Sequence, residues 1–427
     1  MGRSVSLGSV VLAICALVAL VSAPPTAQSA ADASFLVVNA RVFDGDRLLE
    51  GTDVAVESGI IRAVGRDLTG WQRLALIDGA NSTIMPGLID AHAHVVTVAD
   101  PRQALQFGVT TVLDLGAANA PQAQVFGVRQ AARVATDMAE VFSAGFLAST
   151  RRPADSTRPV VTSVDEAVRF ADARRADGAD YLKLQLNGAR SASLGDPNMS
   201  EAIAGALVAR AHANGMKAIA HVETLADVDV ALAAGVDGLA HVWRRGGANA
   251  DIARRITERG VFVIATLAIP DGFLQGRSRL RDDPRFQGRL SAPLLDHLTR
   301  PFTAPLAGNS FEDLRANYTA HREGVQGLVQ AGATLLVGTD ASAAATPAAH
   351  GISIHREIEL LTEAGLSPLQ VLRAATSTTA DVFSLPDRGR IVVGRRADLV
   401  MVRGNPIDDI TATRDIVRVW RAGVALR

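Results

Sequence analysis

From residue 84 onward the chain repeats one unit: a short apolar run, a stretch with apolar positions every three or four residues, and often a glycine before the next run. The apolar runs fall at 84–95, 110–115, 140–145, 180–186, 217–222, 238–242, 261–266 and 334–339. Helical patterns lie between them, among them 163–176, which opens on a Ser-Val-Asp-Glu capping box, 200–213 and 311–330. Gly108, Gly178, Gly215, Gly235, Gly260 and Gly332 stand just before strands two, four, five, six, seven and eight. A glycine there suits a helix end that turns left-handed before the chain enters a strand. Eight strands alternating with helices over roughly 300 residues predict an α/β fold, a (β/α)8 TIM-like barrel, over an open doubly wound sheet.

The flanks follow another rhythm. Runs at 35–38, 53–57 and 60–64, and again at 389–393, 398–402 and 416–422, alternate as antiparallel strands do. The expected organisation is a small composite β-sandwich domain from 32–84 and 386–427, enclosing a barrel at 85–385. Within the barrel, 268–308 is poorly patterned, and an insertion after strand seven lies where a lid over the active face would sit. At the N-terminus, Arg3, an apolar run over 10–21 and the small residues Ala27 to Ala31 have the layout of a secretory signal at 1–31. The run is shorter than the ~20 residues of a spanning helix. The expected mature protein is exported, periplasmic or secreted, with no membrane contact after cleavage.

Composition narrows the chemistry. Lys and Arg number 43 against 44 Asp and Glu, so the chain lacks the basic footprint of a nucleic-acid binder. Losing Arg3 with the signal leaves 42 basic against 44 acidic groups, a net charge of −2. Cys15, inside the signal, is the only cysteine, which leaves neither disulfides nor a thiolate nucleophile.

Chemistry in a barrel sits at the C-terminal ends of the strands. Strand one ends with His92 and His94, two residues apart and therefore on one side of the strand, where both imidazoles reach one metal ion. Strand four carries Lys183 among apolar neighbours, a costly place for an unpaired ammonium. It is either ion-paired with a buried carboxylate or neutralised as a carbamate made with carbon dioxide. Strand five ends in His221, strand six in His241 and strand eight in Asp340, a ligand set suited to zinc or a similar divalent ion. Arg151 and Arg152 after strand three, and Arg244 and Arg245 after strand six, are either carboxylate-gripping substrate contacts or solvated surface. His350 and His355 read as outer-shell or surface residues, and His212, His297 and His321 as non-catalytic.

These residues resemble the amidohydrolase superfamily of metal-dependent hydrolases, in particular its imidazolonepropionase-like and Xaa-Pro-dipeptidase-like branch. The resemblance rests on the segment from Met85 to His94, on Gly108 to Val112, on Val337 to Asp340, and on Gly389 to Ile391 leading to Ala397–Val400. It implies two divalent metal ions, zinc by preference: His92, His94 and Asp340 on the first, His221 and His241 on the second, carboxylated Lys183 between them. It implies hydrolysis of a C–N bond in a small-molecule amide, a dipeptide or an N-acyl amino acid by a metal-bridging hydroxide. Asp340 would shuttle the proton and His241 would orient the carbonyl. Lys183 is followed by Leu184 to Gly188 where small polar residues are common in the branch, which keeps a one-metal site open. An ester, lactone or phosphotriester substrate is the alternative within hydrolases, and a periplasmic solute-binding protein the alternative outside them. A homo-oligomer is compatible with all of these.

Overall fold

The computed structural model describes residues 33–116, 121–151, 159–186, 198–276, 278–301, 311–342 and 346–426. Residues 1–31, where a secretory signal is expected, and with them Cys15, lie outside these residues, as does Arg152. The N-terminal alternation forms β1 (Phe35–Phe43), β2 (Leu48–Glu57), β3 (Ile60–Gly65), β4 (Ala75–Asp78) and β5 (Ser82–Pro86). β1, β2 and β3 make an antiparallel meander. An irregularity near Asn39, at φ 60°, bends β1, so its first half pairs with β4 and its second half with β5.

The predicted first barrel strand, 84–95, is two strands belonging to two sheets. Gly87 separates β5 from β6 (Leu88–His94), and a Cβ there would lie 2.2 Å from Thr110 Oγ1, so only glycine lets the two backbones approach. The repeat continues with β7 (Val109–Asp114), β8 (Glu140–Ser143), β9 (Leu182–Gln185), β10 (Ala218–His221), β11 (Gly238–Ala240), β12 (Phe262–Ile264), β13 (Leu335–Leu336) and β14 (Ala341–Ser342). All six glycines that precede strands have φ between 65° and 84°, the left-handed conformation their positions demanded.

These strands are parallel and form two arcs, β13-β12-β11-β10-β9 and β14-β6-β7-β8. The architecture is TIM-barrel-like, but among the described residues the regular ladders do not join into one closed barrel. At the two seams a few hydrogen bonds outside any strand pairing replace the ladder: Ala148 N donates to Lys183 O at 2.8 Å and Gln185 N to Ala148 O at 2.9 Å at one, Ala91 N to Val337 O at 2.9 Å and Thr339 N to His92 O at 3.1 Å at the other. Side chains from both arcs, including Ile89, Leu113, Ile219, Ile264 and Leu336, nevertheless pack into one buried cluster.

After the repeat, β15 (Leu399–Arg403), β16 (Ile416–Arg421) and β17 (Val424–Ala425) return to the N-terminal strands, β15 pairing antiparallel with β5. The outcome is one branched eight-stranded sheet drawn from both chain ends, so the two flanks combine into a composite β unit. Residues 389–393 are not a strand. Gly389 turns at φ 76°, and Ile391 N donates to Asp44 O at 2.9 Å.

The helices Val164–Ala176, Glu201–Ala213 and Phe311–Gln330 occupy their predicted places. Ser163 caps its helix as expected, but the Glu166 carboxylate reaches Thr162 N at 2.8 Å, one residue before the box position. The unpatterned stretch 268–308 contains helices Ala268–Gln275 and Ala292–Thr299 joined by short 3-10 turns.

Candidate metal centre

Register puts the polar strand ends on one rim. β14 pairs with β6 so that Ala341 faces Ala93 and Ser342 faces His94, which sets Asp340 beside the His92/His94 pair. Lys183 faces Ile219 across the β9–β10 ladder, and His221, two residues further along β10, projects to the same side. His241 follows the last residue of β11. Three of the residues at this rim carry positive φ without being glycine: His241 at 74°, Thr266 at 55° and Asp340 at 53°. Such backbone is costly for side-chain-bearing residues and persists where surrounding contacts over-determine it, most often at functional sites.

The donors converge. Asp340 Oδ1 lies 2.9 Å from His94 Nε2 and 3.3 Å from His92 Nε2. The His92 ring centre is 4.8 Å from that of His241, and His241 is 4.5 Å from His221. One ligand atom each from His92, His94 and Asp340 falls within 4.8 Å of the others. His94 Nδ1 donates to Gly116 O at 2.6 Å, which leaves the Nε2 lone pair facing a carboxylate oxygen. Two acceptors at that separation repel unless a proton or a cation lies between them. His241 Nδ1 is likewise occupied by Thr266 Oγ1 at 2.7 Å, freeing Nε2 for the rim.

At this rim three buried nitrogens find no hydrogen-bond partner: His92 Nδ1, His221 Nε2 and Lys183 Nζ. Buried polar atoms are seldom left so, and a cluster of them at one strand-end rim is the donor set of a cation site. The residues therefore fit a divalent metal. Burial lowers the imidazoles of His92, His221 and His241, and the positive charge of Lys183 lowers them further. Neutral imidazole is the form that ligates. For His94 burial also disfavours the charge and is the largest single effect, but the bond to Asp340 together with the negative charges of Asp340 and Asp114 outweighs it and the pKa rises. Burial brings the Lys183 amine down to about 7 against the opposing pull of Asp340 and Asp114, so a large fraction is uncharged near neutrality, the form that can add carbon dioxide.

A second ring of residues supports the donors. Asp90, pushed up to about 6 by burial, accepts from Thr339 Oγ1 at 2.6 Å and from His92 N at 3.2 Å. Asp114, also raised to about 6 by burial, accepts from Ser143 Oγ and from Val95 N. Glu223 receives Arg244 at 2.9 Å and lies 3.5 Å from His221 Nε2. Of these, Asp114, Ser143 and Thr266 mark the ends of strands two, three and seven. The strand-end criterion that picks out the histidines reaches them too once it is applied to every strand.

A solvent-open cleft of about 100 Å³ rises from His221, His241 and Asp340. Arg244, Asn317 and His321 line its polar side, and Ile269, Pro270, Phe273 and Leu314 its apolar side. His321, expected to be non-catalytic, lines the cleft, brought there by the packing of its helix, with burial holding it down at about 4. Arg245 and Arg151 are exposed and do not line this cleft, and Arg152 falls outside the described residues. His355 is neither outer-shell nor surface: it is buried beside Phe286, with Phe107 O 3.1 Å from Nε2 and Thr413 Oγ1 3.2 Å from Nδ1. His350 is buried 3.8 Å from Asp100, close to the His94 backbone. His212 pairs with Asp237 at 2.8 Å, and His297 donates to Thr346 O at 3.0 Å.

The sequence pattern of the amidohydrolase family matches residues 83–426. An ochratoxinase of Aspergillus niger is 23% identical over 273 residues, 62% of this chain and 50% of that protein, so this chain spans about half the length of that relative. An enamidase of Eubacterium barkeri is 36% identical over 86 residues, 17% of this chain and 22% of that one. Among solved structures, a Xaa-Pro dipeptidase with methionine bound in its active site superposes with a TM-score of 0.71 at 20% identity, covering 92% of this chain and 99% of the other. The A. niger ochratoxinase structure superposes with a TM-score of 0.72 at 20% identity, covering 92% and 95%. At such identities the superpositions speak for a shared fold.

Proposed function

The chain belongs to the amidohydrolase family, and from that premise we propose that it is an exported metal-dependent hydrolase that cleaves a C–N bond in a small amide, a dipeptide or an N-acyl amino acid. The observation that carries the reading is the convergence of His92, His94, His221, His241, Lys183 and Asp340 on one rim, with three of their nitrogens buried and unpartnered. His92, His94 and Asp340 would hold one divalent ion, His221 and His241 a second, and Lys183, as a carbamate, would bridge them in a completed eight-stranded barrel. A metal in this place supplies a water of lowered pKa and polarises a carbonyl. The names of the relatives favour an amide over an ester as substrate.

The protein's own groups divide the remaining work. Asp340 Oδ1 takes the proton of the attacking water and returns it to the leaving nitrogen, so the water's hydroxyl ends on the acyl carbon and its proton on the amine. His241, fixed through Nδ1 by Thr266, orients the carbonyl. Arg244, held by Glu223, presents a guanidinium to a substrate carboxylate at the cleft.

Elemental analysis joined to a hydrolysis screen of dipeptides and N-acyl amino acids tests the reading. About two divalent ions per chain are expected, with activity removed by a chelator and restored by zinc. Full amide hydrolysis by metal-free protein would overturn it, and hydrolysis confined to esters or lactones would move the substrate class. For export, the mature N-terminus is expected near residue 32 in a secreted fraction.

A further inference from the structure

The apolar side of the cleft is one face of helix Ala268–Gln275, and the opposite face is fastened from behind. Ile269, Pro270 and Phe273 point into the cleft. Ala268, Asp271 and Gly272 fall on the other side of the same helix, as the 3.6-residue period requires. Each of those three meets the segment that follows strand eight. Glu357, fully buried on helix Ile352–Glu363, receives Ala268 N at 2.7 Å. This caps a helix whose own N-cap, Leu267, has no capping side chain. Arg356 grips buried Asp271 with two bonds of 3.1 and 3.2 Å, and is itself held by Glu359 at 3.1 Å and Glu363 at 2.8 Å. Gly272 touches Pro347 so closely that a Cβ there would lie 2.6 Å from the proline Cβ.

We infer that Arg356 and Glu357 are positioning residues that set the height of the Ile269/Pro270/Phe273 wall, and that the wall selects substrates carrying an aryl or branched alkyl group beside the scissile amide. The inference rests on the hydrolase reading for its substrate but not for its geometry. Neither residue lines the cleft, and both act through the helix they hold. A two-bond guanidinium–carboxylate clamp and a cap are directional, so together they define position as well as affinity. An apolar pocket of this kind discriminates by how closely it meets the substrate group, and a shift of the wall changes binding of a large group while leaving a methyl group nearly indifferent.

The experiment uses the zinc-loaded full chain and two dipeptides that differ only in carrying phenylalanine or alanine. In Arg356→Ala and Asp271→Ala, KM for the phenylalanine dipeptide is expected to rise about tenfold, with the alanine KM and both kcat values changed by less than about threefold. The double variant should be no worse than either single one, because both remove the same clamp. Arg356→Lys should recover part of the selectivity. Gly272→Ala, which shifts the helix from its other contact, should reproduce the pattern without touching the clamp. Equal KM changes for both dipeptides, or unchanged selectivity in all variants with metal retained, would overturn the inference. If the parent protein cleaves neither dipeptide, the hydrolase reading fails, and calorimetric binding of the two dipeptides still reads the wall: an unchanged affinity ratio in the variants would overturn it.

Discussion

Lys183 is the residue whose chemistry depends most on its surroundings. An amine on a solvated helix would stay charged, whereas here burial among strands leaves it near neutrality with no partner for Nζ. Lys183→Ala is therefore expected to lose metal and activity together, and short carboxylic acids should restore part of both by occupying the vacated space. An ion-paired structural lysine predicts no rescue, with metals retained. Asp340 separates differently. Asp340→Asn can still offer an oxygen ligand but cannot take a proton, so the variant should keep most of its metal while kcat falls at least about 100-fold. A near-normal kcat across pH would transfer the shuttle role to another group such as His241.

At the level of elements, each strand end matters through what the next element does to it. Thr266, just past β12, orients His241 by holding Nδ1. Thr266→Val should weaken metal affinity about 10- to 100-fold, as loss of such supporting bonds typically does, while Thr266→Ser should not; competition with a chromophoric chelator measures both. Helix Ile352–Glu363 carries a carboxyl of another kind. Burial pushes Glu357 from the ordinary 4.5 up to about 8, with a smaller rise from Asp90 and an opposing pull from Arg356. A folded-state pKa above the unfolded one means that the stability the group contributes is complete below about 4.5 and lost as pH climbs through about 8. Glu357→Gln, permanently neutral, should therefore gain on the parent protein between pH 5 and pH 9. Urea unfolding at the two pH values is the check, and parallel pH dependences would show that Glu357 does not carry the effect.

Across the whole molecule, the strands of both chain ends are locked to the parallel arcs by a buried charge cluster. Glu140, at the start of β8, receives Arg388 at 3.0 Å, Arg396 at 2.9 Å and Arg421 at 2.9 Å. Asp398 takes Arg421 at 3.0 Å on its other side. Removing one charge from such a cluster strands its partners in a poorly solvated place, at a typical cost of about 3–5 kcal/mol. Glu140→Gln is thus expected to lower the urea midpoint markedly while leaving the metal content of the surviving folded protein intact. A shift below about 0.5 kcal/mol, the range of surface substitutions, would mean that the arginines find solvent or other partners. The near-equal numbers of basic and acidic groups are used internally: many of the arginines in this chain pair with carboxylates of its own.

What was legible in the sequence was whatever is encoded locally. Strand and helix alternate with their own periods, glycines mark the left-handed turns between them, and chain order in an α/β repeat places strand ends on one rim. His92, His94, Lys183, His221, His241 and Asp340 could accordingly be picked out without a structure. What tertiary packing alone decided was everything that depends on a second, distant partner. Gly87 divides one predicted strand between two sheets because Thr110 presses against it. Residues 389–393 have strand-like alternation yet form no strand, because Gly389 turns the backbone at φ 76° and Ile391 N bonds to Asp44 O outside any ladder. His321 reaches the cleft and His355 the core because helix packing, not periodicity, chooses which face meets which neighbour. The clamp from Arg356 to Asp271 spans 85 residues of sequence, and no local pattern carries the information that two such positions meet. Local preference is a property of a few consecutive residues, whereas contact is a property of the folded whole, and the metal rim is legible only because the repeat turns sequence order into spatial order.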